Sequence, residues 1–216
     1  MSAITTIFFD IGGVLLTDGW GHASRRAAAE KFGLDWEEYA ERHEKVAHAI
    51  ETNRLSLDEY LRCTIFYRPR SFSRDEFRKY IFAQSQPHPE TIEIARCLAT
   101  SQKYFMATIN NEIFELNTYR LQEFDLGKIF AAFFSSCFLG IRKPDEAIYQ
   151  LALQVTQRKA EECLFIDDRE VNLECPREMG LQTILYETPS QLRNALLQEG
   201  ILSHTSLQRG DHAGAS

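Results

Sequence analysis

The chain has 216 residues and a formal net charge of −7 at pH 7. This length indicates one domain, or one core with a modest insertion, and it allows a substantial buried core. An acidic chain is a poor candidate for binding nucleic acid or an anionic membrane, although a local pocket can still be positive. We therefore predict neither nucleic-acid nor membrane partners.

The cysteines and the apolar runs together predict the cellular compartment of the protein. The five cysteines are odd in number and form no C-x-x-C pair, which favours reduced thiols in a reducing environment. The first apolar run ends in Asp10 and lacks the basic segment that begins a signal peptide. No apolar run is long enough to span a membrane. We expect a cytoplasmic protein.

Five short apolar runs are predicted to be strands of a parallel sheet. Several are apolar on both faces, as in a sheet that helices cover on both sides. In chain order they are residues 4–9, 104–107, 130–135, 163–166 and 183–186. Segments with helical spacing follow at 112–123, 145–155, 171–179 and 190–198. The alternation predicts an α/β fold with a doubly wound, Rossmann-like sheet.

A mostly helical segment of about ninety residues separates the first two predicted strands. Capping boxes beginning at Asp35, Ser56 and Ser73 predict three helix starts within it. We therefore predict an inserted helical cap in an α/β core, followed by a polar tail that is disordered. The predicted boundaries are 1–17 and 87–203 for the core, 18–86 for the cap and 204–216 for the tail.

Polar residues follow four of the predicted strands where each strand ends. Asp10 follows the first, the segment 108–111 the second, Lys143 the third, and Asp167 with Asp168 the fourth. In a parallel sheet these ends lie along one edge, where ligands usually bind. Mg²⁺ prefers oxygen ligands, lysine pairs with phosphate, and a carboxylate can attack phosphorus. The pattern favours a site for Mg²⁺ and a phosphate group.

Four motifs occur in order along the chain: FFDIGGVL, FMATINN, GIRKPDEAIY and LFIDDREVN. Together they resemble the haloacid dehalogenase-like (HAD) hydrolase superfamily over about residues 4–187. The last two motifs are the more specific, and the helical insertion stands where the family places its small helical cap. The resemblance implies Mg²⁺-dependent hydrolysis of a small phosphorylated metabolite, such as a sugar phosphate, through an aspartyl phosphate.

The resemblance also implies a role for each matched position. Asp10 would be the nucleophile and would bind Mg²⁺ together with Asp168 and the carbonyl group of Gly12. Thr108 would hydrogen-bond a phosphoryl oxygen, and Lys143 would neutralise the phosphate and keep Asp10 ionised. Many relatives have an asparagine directly after the hydroxyl residue. The supporting positions would be Asp167 and Asn172 at the metal, and Asn110 or Asn111 in place of that asparagine.

The first motif lacks the second carboxylate of the usual phosphatase pattern, D-x-D-G-V-L. That residue protonates the leaving oxygen and then activates water, and Gly12 can do neither. Three interpretations stay open: a phosphatase that uses another acid, a different chemistry such as dehalogenation or phosphonate cleavage, or a weak or inactive protein that binds a phosphorylated ligand or a protein partner. The retained Asp168 argues against dehalogenation, which needs no metal.

Residues at the turn into the predicted cap are further candidates. Asp18 is the candidate for the substitute acid. Trp20 and His22 are candidate substrate contacts, although packing or turn formation is the more common role of such residues. We interpret His43 as a surface residue of the cap and Arg142 as structural or peripheral. The sequence leaves the substrate, the pathway and the oligomeric state open.

Overall fold

The computed structural model describes residues 3–203, so the tail predicted to be disordered lies outside the described residues. The strands are β1 (Thr6–Phe9), β2 (Phe105–Asn110), β3 (Ala132–Ser135), β4 (Cys163–Asp167) and β5 (Gln182–Leu185). They form one parallel sheet in the order β3-β2-β1-β4-β5. The predicted α/β class and Rossmann-like sheet are confirmed.

Five helices lie between β1 and the helix that precedes β2. They are α1 (His22–Phe32), α2 (Trp36–Glu44), α3 (Ala47–Glu51), α4 (Leu57–Thr64) and α5 (Arg74–Ala83). Capping boxes at Ser56 and Ser73 begin α4 and α5 as predicted. Asp35 accepts a hydrogen bond from the Glu38 N–H and so supplies only the first half of such a box. We call α1–α5 the helical insertion.

The remaining helices cover the sheet. They are α6 (Pro89–Thr100), α7 (Phe114–Glu123), α8 (Ser136–Leu139), α9 (Glu146–Thr156), α10 (Glu170–Glu178) and α11 (Pro189–Gln198). Among the described residues, no helix combines the length and the apolar character needed to cross a membrane.

The central strand β1 shows how the two faces of the sheet are packed. Ile7 and Phe9 belong to an apolar cluster with side chains of α6 and α11, whereas Phe8 packs with side chains of α9 and α10. Side chains alternate between the faces of a strand, and burying each of these phenylalanines contributes about 1.5–3 kcal/mol. Asp10 is the next residue after Phe9, so the fully buried strand fixes its position.

The helical insertion has an apolar cluster of its own. Trp20, Tyr60 and Phe77 belong to it, and Ile113 and Leu116 join it from the start of α7. The chain leaves and re-enters the core through two adjacent segments, since the Thr17 N–H donates to the Gln86 carbonyl group and the His88 N–H to that of Leu15. The predicted boundaries at 18 and 86 fall at this crossing, and the division into core and cap stays a prediction.

Candidate active site at the edge of the sheet

Lys143 lies between two carboxylates at the carboxyl edge of the sheet. Its Nζ is 2.9 Å from Asp10 Oδ1 and 2.6 Å from Asp167 Oδ2, and all three side chains are buried. Phe9 of β1 is paired in register with Ile166 of β4, so the residues that follow them, Asp10 and Asp167, are also neighbours. The two central strands therefore bring Asp10 and Asp167 together, as the sequence predicts.

The backbone of Lys143 is held by Asn111. Asn111 Oδ1 accepts from the Lys143 N–H, and Asn111 Nδ2 donates to the Lys143 carbonyl group, both at 2.9 Å. Such a paired contact fixes the direction from which the lysine side chain enters the site. Asn111 is thus the asparagine of the second motif that reaches the site, where it acts on the lysine.

Both oxygens of the Asp167 carboxylate also form hydrogen bonds. Its Oδ1 accepts from Asn172 Nδ2 and from the Arg169 N–H, both at 2.9 Å, while Oδ2 meets Lys143. Satisfied buried carboxylates are rigid, because breaking any of these bonds leaves a buried charge unpaired. Asp167 and Asn172 accordingly support the site by holding Lys143 and the start of α10.

Burial controls the protonation of the central pair. Burial raises the pKa of Asp10 to about 8, against the lowering effect of Lys143, and Asp167 adds to the rise. Burial alone would lower the pKa of Lys143, but Asp10 and Asp167 hold it above its ordinary value. A cation bound at this cluster would favour ionised Asp10, since opposite charge stabilises the carboxylate.

The carboxylates of Asp10, Asp167 and Asp168 can place oxygens within 4.8 Å of one another. Asp168 Oδ1 is buried without a hydrogen-bond partner among the described residues, which is costly unless a cation satisfies it. A Cβ at Gly13 would overlap Asp168 Oδ2, and the φ of Gly13 is +80°, so only glycine allows this close approach. The available metal ligands are all carboxylate oxygens, and one of them lacks a hydrogen-bond partner, which fits Mg²⁺.

A cavity of about 660 Å³ opens over this cluster, between the sheet edge and the helical insertion. Of the predicted site residues, it is lined by Asp10, Gly12, Asn111, Lys143, Asp168 and Asn172 from the core, and by Asp18, Trp20 and His22 from the segment that leads into α1. The structure thus brings most of the predicted positions to a single space that a small molecule can enter.

Asp18 occupies the space next to Gly12. A Cβ placed on Gly12 would lie 3.6 Å from Asp18 Oδ1, and a Cβ on Gly21 would overlap the other carboxylate oxygen. Asp18 is exposed to solvent, and its partial desolvation raises its pKa above the ordinary value, against the lowering effects of Arg120, Arg169 and Arg25. A carboxylate that stands six residues later in the chain therefore lies beside position 12.

Trp20 and His22 have packing partners as well as access to the cavity. Trp20 is buried, and its Nε1 donates to the Tyr60 hydroxyl group at 3.2 Å. His22 is exposed, and its ring lies edge-on to Trp36 with a centroid distance of 5.1 Å. Both observations agree with either role left open by the sequence, which is substrate contact or packing and turn formation.

Thr108 and Asn110 are not brought to the cavity. Thr108 is fully buried and donates to Asn110 Oδ1 at 3.5 Å, while Asn110 Nδ2 donates to Asn117 Oδ1. The side chain between them, Ile109, packs on the opposite face of β2 in the cluster that contains Phe8. Asp10 continues the side of Phe8, so its neighbour on β2 is Ile109, and the phosphate contact of Thr108 stays a prediction.

Arg120 is a site-forming residue that the sequence does not reveal. Its guanidinium group is buried and bonds to Glu112 Oε2 at 2.7 Å, to Ser85 Oγ at 2.9 Å and to the Thr17 carbonyl group at 2.5 Å. Thr17 precedes the helical insertion and Ser85 follows it. One side chain of α7 therefore holds both crossing segments beneath the cavity.

One interpretation made from the sequence needs correction. His43 is not a surface residue of the helical insertion: it is 7% exposed, lines the cavity and contacts the Tyr60 hydroxyl group through Nδ1 at 3.0 Å. Arg142 lines the cavity as well, and its pairing with Glu51 of α3 at 2.5 Å is a structural contact, as the sequence interpretation has it. Helical periodicity predicts which face of a helix is apolar, but it does not show that a polar residue faces a cavity.

Known proteins resemble the chain in sequence over part of its length. It is 39% identical over 70 residues to "Bifunctional epoxide hydrolase 2" of Rattus norvegicus and 35% identical over 68 residues to "Flavin mononucleotide hydrolase 1, chloroplatic" of Arabidopsis thaliana. Each match covers 32% of this chain, but it spans only 13% of the first relative and 28% of the second.

Solved structures resemble it over most of its length. A HAD family enzyme from Bacteroides thetaiotaomicron has a TM-score of 0.75 at 16% identity, covering 86% of this chain and 95% of that one. A HAD-like family hydrolase from Porphyromonas gingivalis has a TM-score of 0.72 at 19% identity, covering 91% and 99%. The family model of haloacid dehalogenase-like hydrolases matches residues 4–180. The chain therefore belongs to the haloacid dehalogenase-like hydrolase family.

Proposed function

We propose that the protein is a Mg²⁺-dependent hydrolase of small phosphomonoesters that acts through an aspartyl-phosphate intermediate. The observation that carries this proposal is the cluster in which Lys143 lies 2.9 Å from Asp10 while Asp168 Oδ1 is buried without a partner among the described residues. A phosphate group would bring anionic oxygens to the lysine and to a metal. The relative named a flavin mononucleotide hydrolase supports this chemistry, because flavin mononucleotide is a phosphomonoester.

Asp10 is the nucleophile in this proposal. One of its carboxylate oxygens forms a bond to phosphorus while the bond from phosphorus to the leaving oxygen breaks, and Lys143 offsets the negative charge of the phosphoryl group. Water then attacks the same phosphorus, which releases inorganic phosphate and restores the Asp10 carboxylate. Bound Mg²⁺, held by Asp10, Asp168 and the carbonyl group of Gly12, would supply electrostatic stabilisation of the transferring phosphoryl group.

Asp18 performs the two proton transfers in this proposal. In the first step its carboxyl group gives a proton to the leaving oxygen, and in the second step its carboxylate accepts a proton from the attacking water. Its position beside Gly12 supports the assignment, since a side chain at position 12 would extend into the same space. Arg120 lies beside both residues and keeps this corner of the cavity ordered.

The helical insertion acts as a cap in this proposal. Its residues form one wall of the cavity and the sheet edge forms the other, so approach of the two walls would exclude bulk water during phosphoryl transfer. A cavity of about 660 Å³ that is covered in this way suits a small metabolite better than a phosphorylated protein. Residues 18–86 are the predicted extent of this cap.

Phosphate release is the direct test of the proposed function. The protein is assayed with p-nitrophenyl phosphate and a panel of sugar phosphates in Mg²⁺, after removal of metal with EDTA, and after Mg²⁺ is restored. We expect turnover that disappears with EDTA and returns with Mg²⁺. Absence of turnover with every ester would favour a protein that only binds phosphorylated ligands, and metal-independent halide release from 2-haloacids would favour a dehalogenase.

The role of Asp18 predicts a dependence on the leaving group. Asp18→Asn should slow phosphorylation by a sugar phosphate by roughly 10²- to 10³-fold, the usual contribution of a general acid. The first turnover of p-nitrophenyl phosphate should stay near the wild-type rate, because nitrophenolate leaves without a proton. Stopped-flow measurement of the nitrophenolate burst, beside quenched-flow measurement with the sugar phosphate, gives both rates.

A second variant separates this role from a general loss of structure. A Cβ added at position 12 would make ordinary van der Waals contact, since the nearest atoms, in Arg120 and Asp18, are 3.6 Å away. Adding Gly12→Asp to Asp18→Asn should restore part of the rate with sugar phosphates, because it returns a carboxylate to the same corner. Asp58→Asn on the exposed face of α4 is the matched control. Equal slowing of both esters by Asp18→Asn would contradict the assignment.

A further inference from the structure

A buried polar network in the helical insertion meets at the hydroxyl group of Tyr60. Trp20 Nε1 is 3.2 Å from this oxygen, the Tyr39 hydroxyl oxygen is 3.0 Å away, and His43 Nδ1 is also 3.0 Å away. All four side chains are buried. Every proton in such a network requires an acceptor, because an unsatisfied buried donor is costly.

Counting donors and acceptors fixes the direction of each bond. The indole of Trp20 can only donate, and the hydrogen-bonding neighbours of the Tyr39 hydroxyl group are Trp20 and Tyr60. The Tyr39 proton therefore has an acceptor only if Tyr39 donates to Tyr60. Tyr60 then accepts from Trp20 and Tyr39, and we assign its own proton to the 3.0 Å contact with His43 Nδ1, the Thr64 hydroxyl group being its other neighbour. The proton of neutral His43 consequently lies on Nε2.

This tautomer gives the cavity a fixed N–H donor. His43 lines the cavity, and its Nε2 has no hydrogen-bond partner among the described residues. Burial, with a contribution from Arg25, lowers the pKa of His43 to about 4, so the ring is neutral at pH 7.

Arg25 of α1 is a second donor in the same cavity. Its Nη1 donates to the Trp20 carbonyl group at 2.6 Å, and it forms no ion pair with a carboxylate within the described residues. Trp20 therefore orders both groups, Arg25 through its backbone and His43 through Tyr60. Of the acidic residues in the cavity wall, Glu51 is paired with Arg142, while Asp18 and Glu44 also line the cavity.

We propose that Arg25 and His43 form a second binding subsite, which takes an anionic oxygen group that the substrate carries in addition to its phosphate ester. The inference rests on the proposed phosphomonoesterase function and names its substrate class: small phosphomonoesters with a carboxylate or a second phosphate. Both residues present only donors, and both are held before the ligand arrives, so little ordering entropy is lost on binding. Arg25 also acts on the Asp18 carboxylate, and an uncharged hydroxyl group would bring no charge complementary to the Arg25 guanidinium group.

Matched substrate pairs test the subsite. Each pair differs only in the second anion: phosphoglycolate against phosphoglycolamide, and fructose 1,6-bisphosphate against fructose 1-phosphate. The readout is the ratio of kcat/KM within a pair, which we expect to favour the anionic member roughly 10- to 100-fold in the wild type. A preference in the first pair alone identifies a carboxylate, and one in the second pair alone identifies a phosphate.

Variants assign that preference to the two residues. Arg25→Met and His43→Phe should each bring the ratio toward one, mainly through a higher KM for the anionic member. Arg26→Met, which removes an exposed arginine on the same helix, and His48→Gln, which removes an exposed histidine on α3, should leave the ratio unchanged. Circular dichroism and thermal unfolding confirm that each variant is folded.

A spectroscopic measurement tests the tautomer itself. The ¹⁵N shifts of His43 should show a protonated Nε2 and an acceptor Nδ1 in the wild type, and Tyr60→Phe should shift the ring toward a mixture of tautomers while lowering the ratio. A protonated Nδ1 in the wild type would overturn the inference. So would Mg²⁺-dependent turnover with equal use of both members of each pair, which leaves the proposed function intact, whereas absence of turnover with every phosphate ester would remove the proposed function.

Discussion

Replacing Asp10 with asparagine is expected to abolish phosphate release, lowering kcat by roughly 10⁴-fold or more, as the loss of a covalent nucleophile usually does. An amide cannot form the acyl phosphate. The change should leave the fold intact, because Asp10 Oδ1 accepts from the Ile11 N–H at 2.7 Å and an asparagine oxygen can do the same. Lys143 keeps Asp167 as a partner at 2.6 Å. Phosphate release at saturating Mg²⁺ measures the loss.

A matched control isolates the chemistry at Asp10. Asp145→Asn changes an exposed carboxylate at the start of α9, where asparagine caps equally well, so its activity should equal that of the wild type. Acid quenching during turnover should also trap a phosphoryl group on the wild type and none on Asp10→Asn. Retention of more than a few per cent of activity by the Asp10 variant would place the nucleophile elsewhere.

The sequence predicts the part of the site that depends on local rules. The ends of parallel strands lie on one edge of a sheet, so short buried runs that end in Asp10 and Asp167 predict that these carboxylates are neighbours. Pairing of β1 with β4 produces this result directly. Asp168 follows from the same rule, since it stands just beyond β4, whereas α8 separates Lys143 from β3 and its place is predicted from the motif that resembles the family. No long-range information is needed for the three carboxylates.

The phosphate contact predicted for Thr108 stays a prediction, and the structure places this side chain in the interior. Side chains alternate along a strand, so an error of one position moves a residue to the other face. Because β2 extends to Asn110, Thr108 lies within the strand and Ile109 takes the side of Asp10. The motif of this chain departs from the family pattern at that point, and composition alone cannot decide which of two adjacent residues faces the ligand.

His43 and Arg120 were missed for a different reason. Their partners lie far along the chain: His43 meets Tyr60, 17 residues on, and Arg120 meets Thr17 across 103 residues. A histidine or arginine on an amphipathic helix is usually exposed, and only the packing of the insertion against α7 reverses that expectation here. Positions of this kind are set by tertiary contacts, which the helical period does not encode.

Arg120→Met is expected to lower the free energy of unfolding by about 3–5 kcal/mol, the usual cost of removing one member of a buried ion pair. The change leaves the buried Glu112 carboxylate without its partner and frees Ser85 and the Thr17 carbonyl group at the crossing of the insertion. Burial already raises the pKa of Glu112 to about 7 against the effect of Arg120, so the variant should carry a protonated Glu112 at neutral pH. Urea unfolding measures the change.

A surface pair and a double variant complete the test of Arg120. Arg177→Met breaks the half-exposed contact with Glu170 and should cost less than about 1 kcal/mol, as exposed pairs do. Glu112→Leu combined with Arg120→Met should recover much of the lost stability, because no buried charge is then left unpaired. The double variant should still show a raised KM, since neither residue then holds Thr17 and Ser85 beneath the cavity. A cost for Arg120→Met equal to that of Arg177→Met would mean that the crossing segments are held by their backbone bonds alone.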